Sequence, residues 1–139
     1  MIFRLSWVYG AGKQNFIYKF SQWIKTQDVL KIAFDEVSVP TFTGTIVDVT
    51  LKSLNNGIKG LYHLTNSGYC TRYEWAKLIT KTLRNDKLLL PVSREMFNLP
   101  AQRPYFSAMA NSKISDIISY QIPDWEEEVE NFVKNNRLD

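Results

Sequence analysis

The chain has 139 residues, 45% hydrophobic and 14% aromatic, which fits a folded protein with one domain over residues 1–139 and excludes disorder. Its net charge of +3 comes from 17 basic and 14 acidic residues scattered along the chain, without the clusters that bind nucleic acid or a membrane surface. No stretch approaches the ~20 apolar residues needed to cross a bilayer, and no cationic leader precedes an apolar run, so a cytoplasmic protein is expected.

Residues 2–9 read as one buried strand, because Phe3, Leu5 and Trp7 alternate with Arg4 and Ser6 and apolar residues flank them. An independent domain seldom opens on its own core, so this strand is expected to belong in mid-fold. Gly10-Ala11-Gly12 breaks it, and Asn15 caps a helix whose Phe16, Phe20, Trp23 and Ile24 share a face. Residues 30–34 suggest a short strand, and Pro40-Thr41 a turn or extended corner. A helix over 46–54 is ended by Asn55-Asn56-Gly57, with Gly57 suited to a left-handed cap. Residues 60–64 form another short strand, expected to pair in parallel with residues 2–9 across the intervening helices.

Thr71 and Glu74 then form a capping-box signature ahead of a helix carrying Trp75, Leu78, Ile79, Thr82 and Leu83 on one face. Residues 88–92 are extended around Pro91, residues 103–107 extended or irregular, and a short helix starts at Asn111 or Ser112 and runs through Ile118. Asp124 opens a last helix that buries Trp125, Val129, Phe132 and Val133. Its acidic start (Asp124, Glu126, Glu127, Glu128) and its Lys134 and Arg137 at the end suit the helix dipole. Strands and helices alternate, which predicts an α/β fold with at least one parallel strand pair.

Several segments imitate functional sites. Gly10-Ala11-Gly12-Lys13 lies between a strand and a helix, but a phosphate loop would need glycine where Trp7 stands and a hydroxyl residue where Gln14 stands. The dinucleotide fingerprint fails at Asn15, its third glycine position. The free N–H groups of the helix start near Asn15 could still face a pyrophosphate. Tyr73 and Lys77 have the spacing of a short-chain dehydrogenase Tyr-x-x-x-Lys pair, yet they follow a capping box and read as a first-turn aromatic and a solvated lysine. His63 has no second histidine and no acidic or thiol cluster beside it, so neither a zinc site nor a catalytic dyad is expected. Cys70 is the sole cysteine and reads as a small packed residue; no internal disulfide can form.

In chain order, four segments resemble successive parts of the dTDP-4-dehydrorhamnose reductase family of extended short-chain dehydrogenases. They are Arg4-Leu5-Ser6-Trp7-Val8-Tyr9-Gly10, Phe34-Asp35-Glu36-Val37-Ser38-Val39-Pro40-Thr41, Gly60-Leu61-Tyr62-His63-Leu64-Thr65-Asn66-Ser67-Gly68 and Arg103-Pro104-Tyr105-Phe106-Ser107. Tyr73-Glu74-Trp75-Ala76-Lys77 is similar to a later helix of those reductases, and Pro123-Asp124-Trp125-Glu126-Glu127-Glu128-Val129 to the start of their closing helix. The resemblance implies the carboxyl-terminal part of that fold: a short parallel strand pair with a small substrate-binding subdomain, the Rossmann nucleotide-binding half lying outside this chain. It implies reduction of dTDP-4-dehydro-L-rhamnose to dTDP-L-rhamnose with NADPH or NADH, for cell-surface polysaccharide. The family's glycine-rich fingerprint and catalytic Tyr-x-x-x-Lys lie upstream of the matched segments, so no catalytic residue is expected here.

What the resemblance carries over is substrate contact. Trp7 matches the family's tryptophan beside the sugar; the residue alone is equally compatible with a core Trp at a strand end. Arg103 is a candidate for a bidentate phosphate contact or for a surface salt bridge. Asn15 and Asp35 are the further candidates. Expected partners are a dTDP-sugar and, through the exposed edge of the first strand, a second copy or a separate Rossmann-containing chain. A non-catalytic regulatory module of the same family is the alternative.

Overall fold

The computed structural model describes residues 1–136, so the placement expected for Arg137 lies outside the described residues. Residues 2–9 do not form one strand. They split into β1 (Ile2–Arg4) and β2 (Val8–Tyr9), with Trp7 between them at a positive φ of 34°. The break is a change of partner. β1 runs parallel to β6 (Leu61–His63), and that ladder closes with the Leu64 amide donating to the Arg4 carbonyl. The chain then swings to β5 (Thr41–Phe42), whose Thr41 amide donates to the Trp7 carbonyl. A bulky residue with φ > 0 is strained, and here two competing ladders impose it. Nor is the segment buried throughout, since Ile2 is 65% exposed.

The remaining elements follow local rules. Helix α1 (Phe16–Thr26) is capped by Asn15, whose side-chain oxygen accepts from the Tyr18 amide. β3 (Val29–Ala33) lies one residue earlier than expected, leaving Phe34 exposed, and pairs in parallel with β8 (Leu88–Val92). β4 (Val37–Ser38) is antiparallel to β7 (Cys70–Thr71). Helix α2 (Thr43–Asn55) starts three residues ahead of the expected Ile46, directly from β5, with Gly57 at φ +62° after its end. Helix α3 (Arg72–Thr82) carries the complete Thr71–Glu74 capping box. Its buried face is Trp75, Ala76, Ile79 and Thr80, rotated from the expected stripe so that Leu78, Thr82 and Leu83 are half-buried. A 3-10 turn (Arg94–Phe97), helix α4 (Ser112–Ile117) and helix α5 (Trp125–Asn135) complete the order. Among the described residues three of the four strand pairs are parallel, each requiring a crossover, and that is the α/β arrangement the alternation predicts.

Two apolar clusters hold these elements. The larger packs Tyr9, Phe20, Ile32, Trp75, Val129 and Phe132, with Cys70 inside it. The smaller packs α2, β6 and α4 through Val49, Tyr62, Leu64, Ile114 and Ile118. Buried Asn66 ties β5, α2 and the approach to α5 together. Its side-chain oxygen accepts from the Phe42 amide at 2.9 Å, and its amide nitrogen donates to the Pro123 carbonyl at 3.0 Å and to the Thr45 hydroxyl at 3.3 Å. Among the described residues no helix is long and apolar enough to cross a membrane.

Candidate functional site

The partner change at Trp7 opens a cleft. A cavity of about 400 Å³ is lined by Trp7, Glu36, Val37, Arg72, Arg103 and Ser107, with Pro104 at its rim. Each wall has a local origin. Glu36 leads into β4, and its carbonyl accepts from the Arg72 amide at 3.2 Å, fixing the start of α3 against that strand. Residues 103–107 run beside β4, with the Val37 amide donating to Tyr105 and the Ser107 amide donating to Val37. Arg94 secures this strip, its guanidinium 3.5 Å from the Tyr105 ring centroid and donating to the Arg103 carbonyl.

The electrostatics centre on one buried carboxylate. The same oxygen of Glu36 lies 3.8 Å from the Arg72 guanidinium and 3.9 Å from that of Arg103. Arg72 is enclosed, its side chain 15% exposed, whereas that of Arg103 is 51% exposed. Burial pushes the Arg72 guanidinium down to about 10, against the opposing pull of Glu36, and it stays charged at neutral pH. The Arg72 Cζ sits 3.9 Å from the Trp7 ring centroid and 4.8 Å from that of Phe16. Trp7 in turn stacks on Trp75 at 5.7 Å, with ring planes 12° apart. Two adjoining depressions share Glu36 and Arg103 and add Lys19, Lys31 and Arg94 to their walls, so cations outnumber carboxylates across the whole cleft. Such a surface suits an anionic ligand with an apolar or ring-shaped portion.

Of the four residues expected at the site, the structure brings Trp7 and Arg103 together. Asp35 faces the other way along the chain: its carboxylate accepts from the Ser93 hydroxyl and the Arg94 amide, both at 2.8 Å, and so caps the 3-10 turn. Asn15 lines a separate depression with Gly10, Gly12, Gln14 and Thr43. Its side-chain amide donates to the Gly10 carbonyl at 2.8 Å and to the Gly12 carbonyl. That turn does not fit a dinucleotide pyrophosphate. The Asn15 side-chain oxygen already takes the Tyr18 amide at the helix start, and Gly10 serves packing, since a Cβ there would lie 2.4 Å from the Thr43 hydroxyl. Tyr73 packs against the larger cluster while Lys77 is exposed, and His63 lies in β6 opposite Arg4. Cys70 is buried, and burial together with the charge of Glu74 pushes its thiol pKa far up. Among the described residues no three His, Cys, Asp or Glu side chains converge as metal ligands.

Glu36 and Arg72 escape the sequence reading. Neither is singled out by its sequence surroundings, because the partners that bury them are distant in the chain.

The family model described as the RmlD substrate binding domain matches residues 1–138. The chain belongs to that family. It is 30% identical, over 115 residues, to the spore coat polysaccharide biosynthesis protein SpsK of Bacillus subtilis, covering 83% of this chain and 40% of that protein. Among solved structures, a dTDP-4-dehydrorhamnose reductase from Clostridium acetobutylicum superposes with a TM-score of 0.90 at 30% identity, over 96% of this chain and 47% of that one. A dTDP-4-dehydrorhamnose reductase from Bacillus anthracis, in complex with NADP, gives 0.89 at 29% identity, over 96% and 48%. The α/β fold is thus that of the carboxyl-terminal part of the extended short-chain dehydrogenases, as the resemblance implied. The chain spans about half the length of the relatives it matches.

Proposed function

We propose that residues 1–139 act as one substrate-binding domain that holds a dTDP-sugar of the dTDP-4-dehydrorhamnose type in the Trp7–Arg103 cleft. One observation carries the reading: an indole and two guanidiniums converge on a single cavity of about 400 Å³. An indole packs on the apolar face of a pyranose, and a guanidinium takes phosphate oxygens in its planar fork. Trp7 contributes to both, because its contacts with Trp75 and Arg72 fix the ring while its half-buried remainder lines the cavity. In this reading Asn15 and Asp35 act indirectly, through the turn and the strip they fix. The solved relatives' names are those of reductases, one of them in complex with NADP; in this reading the present chain contributes binding of the sugar nucleotide, and ketone reduction with NADPH or NADH draws on residues outside the cleft.

The experiment is calorimetric titration of the purified chain with dTDP and dTDP-L-rhamnose, alongside a turnover assay with NADPH and the 4-keto sugar. Binding without turnover is expected. Silence at millimolar ligand removes the site, and measurable reduction overturns the binding-only role.

A second reading rests on a different observation. β1 and β6 bond only to each other among the described residues, and Ile2 and Leu61 are exposed on them. An open apolar pair of strands is a template for another chain. A second copy or a separate Rossmann-containing polypeptide would cover it, and in either case a non-catalytic interaction role is open to this domain. Size-exclusion chromatography with light scattering decides: a dimer supports the edge as an interface, and a monomer at high concentration removes it.

A further inference from the structure

We propose that residues 94–105 are a lid with Arg94 as its clasp: the strap closes beside an occupied cleft and lays Phe97 and Leu99 against Phe16 and Trp23. The inference rests on the nucleotide-sugar reading above and adds how the ligand is retained.

The middle of the strap is unheld. Every residue from Glu95 to Phe106 is exposed. Met96 is 56%, Phe97 41% and Leu99 48% exposed, large apolar side chains left in water. Among the described residues, Leu99, Pro100, Ala101 and Gln102 take part in no hydrogen bond. Compact surface loops of this length pack their interior with their own side chains. This one instead encloses about 420 Å³ between Arg94, Asn98, Gln102 and Tyr105. A segment with few buried contacts and unpaired amides changes conformation at little cost.

Its two feet, by contrast, are fixed. The Asp35 carboxylate accepts from the Ser93 hydroxyl and the Arg94 amide, which ties the first foot close behind β3. The Val37 amide donates to the Tyr105 carbonyl at 2.8 Å, and the Ser107 amide to the Val37 carbonyl at 2.9 Å, which ties the second to β4. The Arg94 guanidinium joins the feet, donating to the Arg103 carbonyl while lying on the Tyr105 ring. Held ends and a free middle make a hinged segment, in which backbone rotations near the feet carry the residues between them together.

The direction of closure follows from the apolar surface. Phe97 and Leu99 line a depression of about 410 Å³ that they share with Phe16, Trp23 and Ile32. Moving inward takes these partly exposed side chains out of water. Arg103 lines that depression and the cleft alike, so a ligand seated against Trp7 lies beside one foot of the strap. Contacts made only in the closed position are what allow the ligand to favour closure.

Hydrogen exchange of the full chain, free and with dTDP-L-rhamnose, tests this, with calorimetry alongside to establish binding. Saturating ligand should slow exchange at the Leu99, Ala101 and Gln102 amides by about fivefold or more. Phe97→Ser combined with Leu99→Ser should release the ligand about tenfold faster while the on-rate stays within about threefold, because a lid acts on dissociation. The clasp is tested without ligand: chymotrypsin should cut Arg94→Ala after Phe97 about tenfold faster than the wild type, with circular dichroism showing both folded. Bound ligand with unchanged exchange at residues 99–102 overturns the lid while the cleft reading stands. Unchanged cleavage of Arg94→Ala overturns the clasp. Absence of binding overturns the cleft reading and the lid together.

Discussion

Asn66→Ala should destabilise the fold severely, because one side chain there joins three elements. Asn66 is 1% exposed, and its two ends pair the Phe42 amide and the Pro123 carbonyl. Alanine leaves both backbone groups buried without those partners. Each such loss costs ~1–3 kcal/mol, giving about 2–6 kcal/mol for the two, with the weaker Thr45 contact a small addition. Water entering the vacated space would relieve part of this, so a value near ~3 kcal/mol is expected. For a chain of this size that lowers Tm by roughly 10 °C. Urea denaturation followed by circular dichroism reads it as a fall in midpoint at unchanged slope. Asn66→Asp separates hydrogen bonding from volume. The carboxylate keeps an acceptor for Phe42 but faces the Pro123 carbonyl without a proton. The penalty should therefore be large at pH 7 and shrink as the pH falls and the acid becomes a donor. A cost below ~0.5 kcal/mol for Asn66→Ala, the range of an ordinary surface change, would refute the reasoning.

Arg103→Ala should weaken dTDP binding by roughly 5- to 15-fold, about 1–1.5 kcal/mol, below the full value of a charged hydrogen bond because the side chain is half exposed; calorimetry at constant salt would contradict this with an unchanged affinity. Burial opposes ionisation of Asp35, but the Arg94 amide and Ser93 hydroxyl outweigh it and hold the carboxyl below its ordinary range. With the folded value depressed, its contribution is complete above the unfolded value near ~3.9 and is lost as pH falls through the folded one. Hydrogen-exchange protection at the Arg94 amide should accordingly drop in acid below about pH 4 in the wild type, with a flatter profile in Asp35→Asn; identical profiles would deny Asp35 its capping role. Cys70, buried with its thiol pKa raised, should resist thiol reagents at pH 8 until the protein is denatured, and rapid labelling of the native chain would show the cluster around it to be open.

What the sequence discloses about this fold is what local chemistry controls. The caps at Asn15, Thr71 and Asp124 lie where their side chains predict, because an N-cap bonds to its own helix within three residues. The buried face of α5 follows directly from its 3.6-residue period. Residues 2–9 mislead for the opposite reason: their alternation is compatible with one strand, and the break at Trp7 is set by Thr41 and Leu64, far along the chain. β4, β5 and β7 are two residues each, too short for any period to register. At the site, Trp7 and Arg103 were accessible through family resemblance. Glu36 and Arg72 were not, since nothing in Asp35-Glu36 or in the start of α3 announces burial. Asn15 and Asp35 carry the residue types of both ligand contacts and caps, and only their hydrogen-bond partners in the fold show the capping.

The central claim is that the Trp7–Arg103 cleft receives the nucleotide. Titrating isotope-labelled chain with dTDP-L-rhamnose and following amide and indole resonances addresses it most directly. The account predicts saturable shifts at the Trp7 indole and along Arg72 and residues 103–107. Shifts confined to the Gly10–Asn15 turn, or none with millimolar ligand, would contradict it.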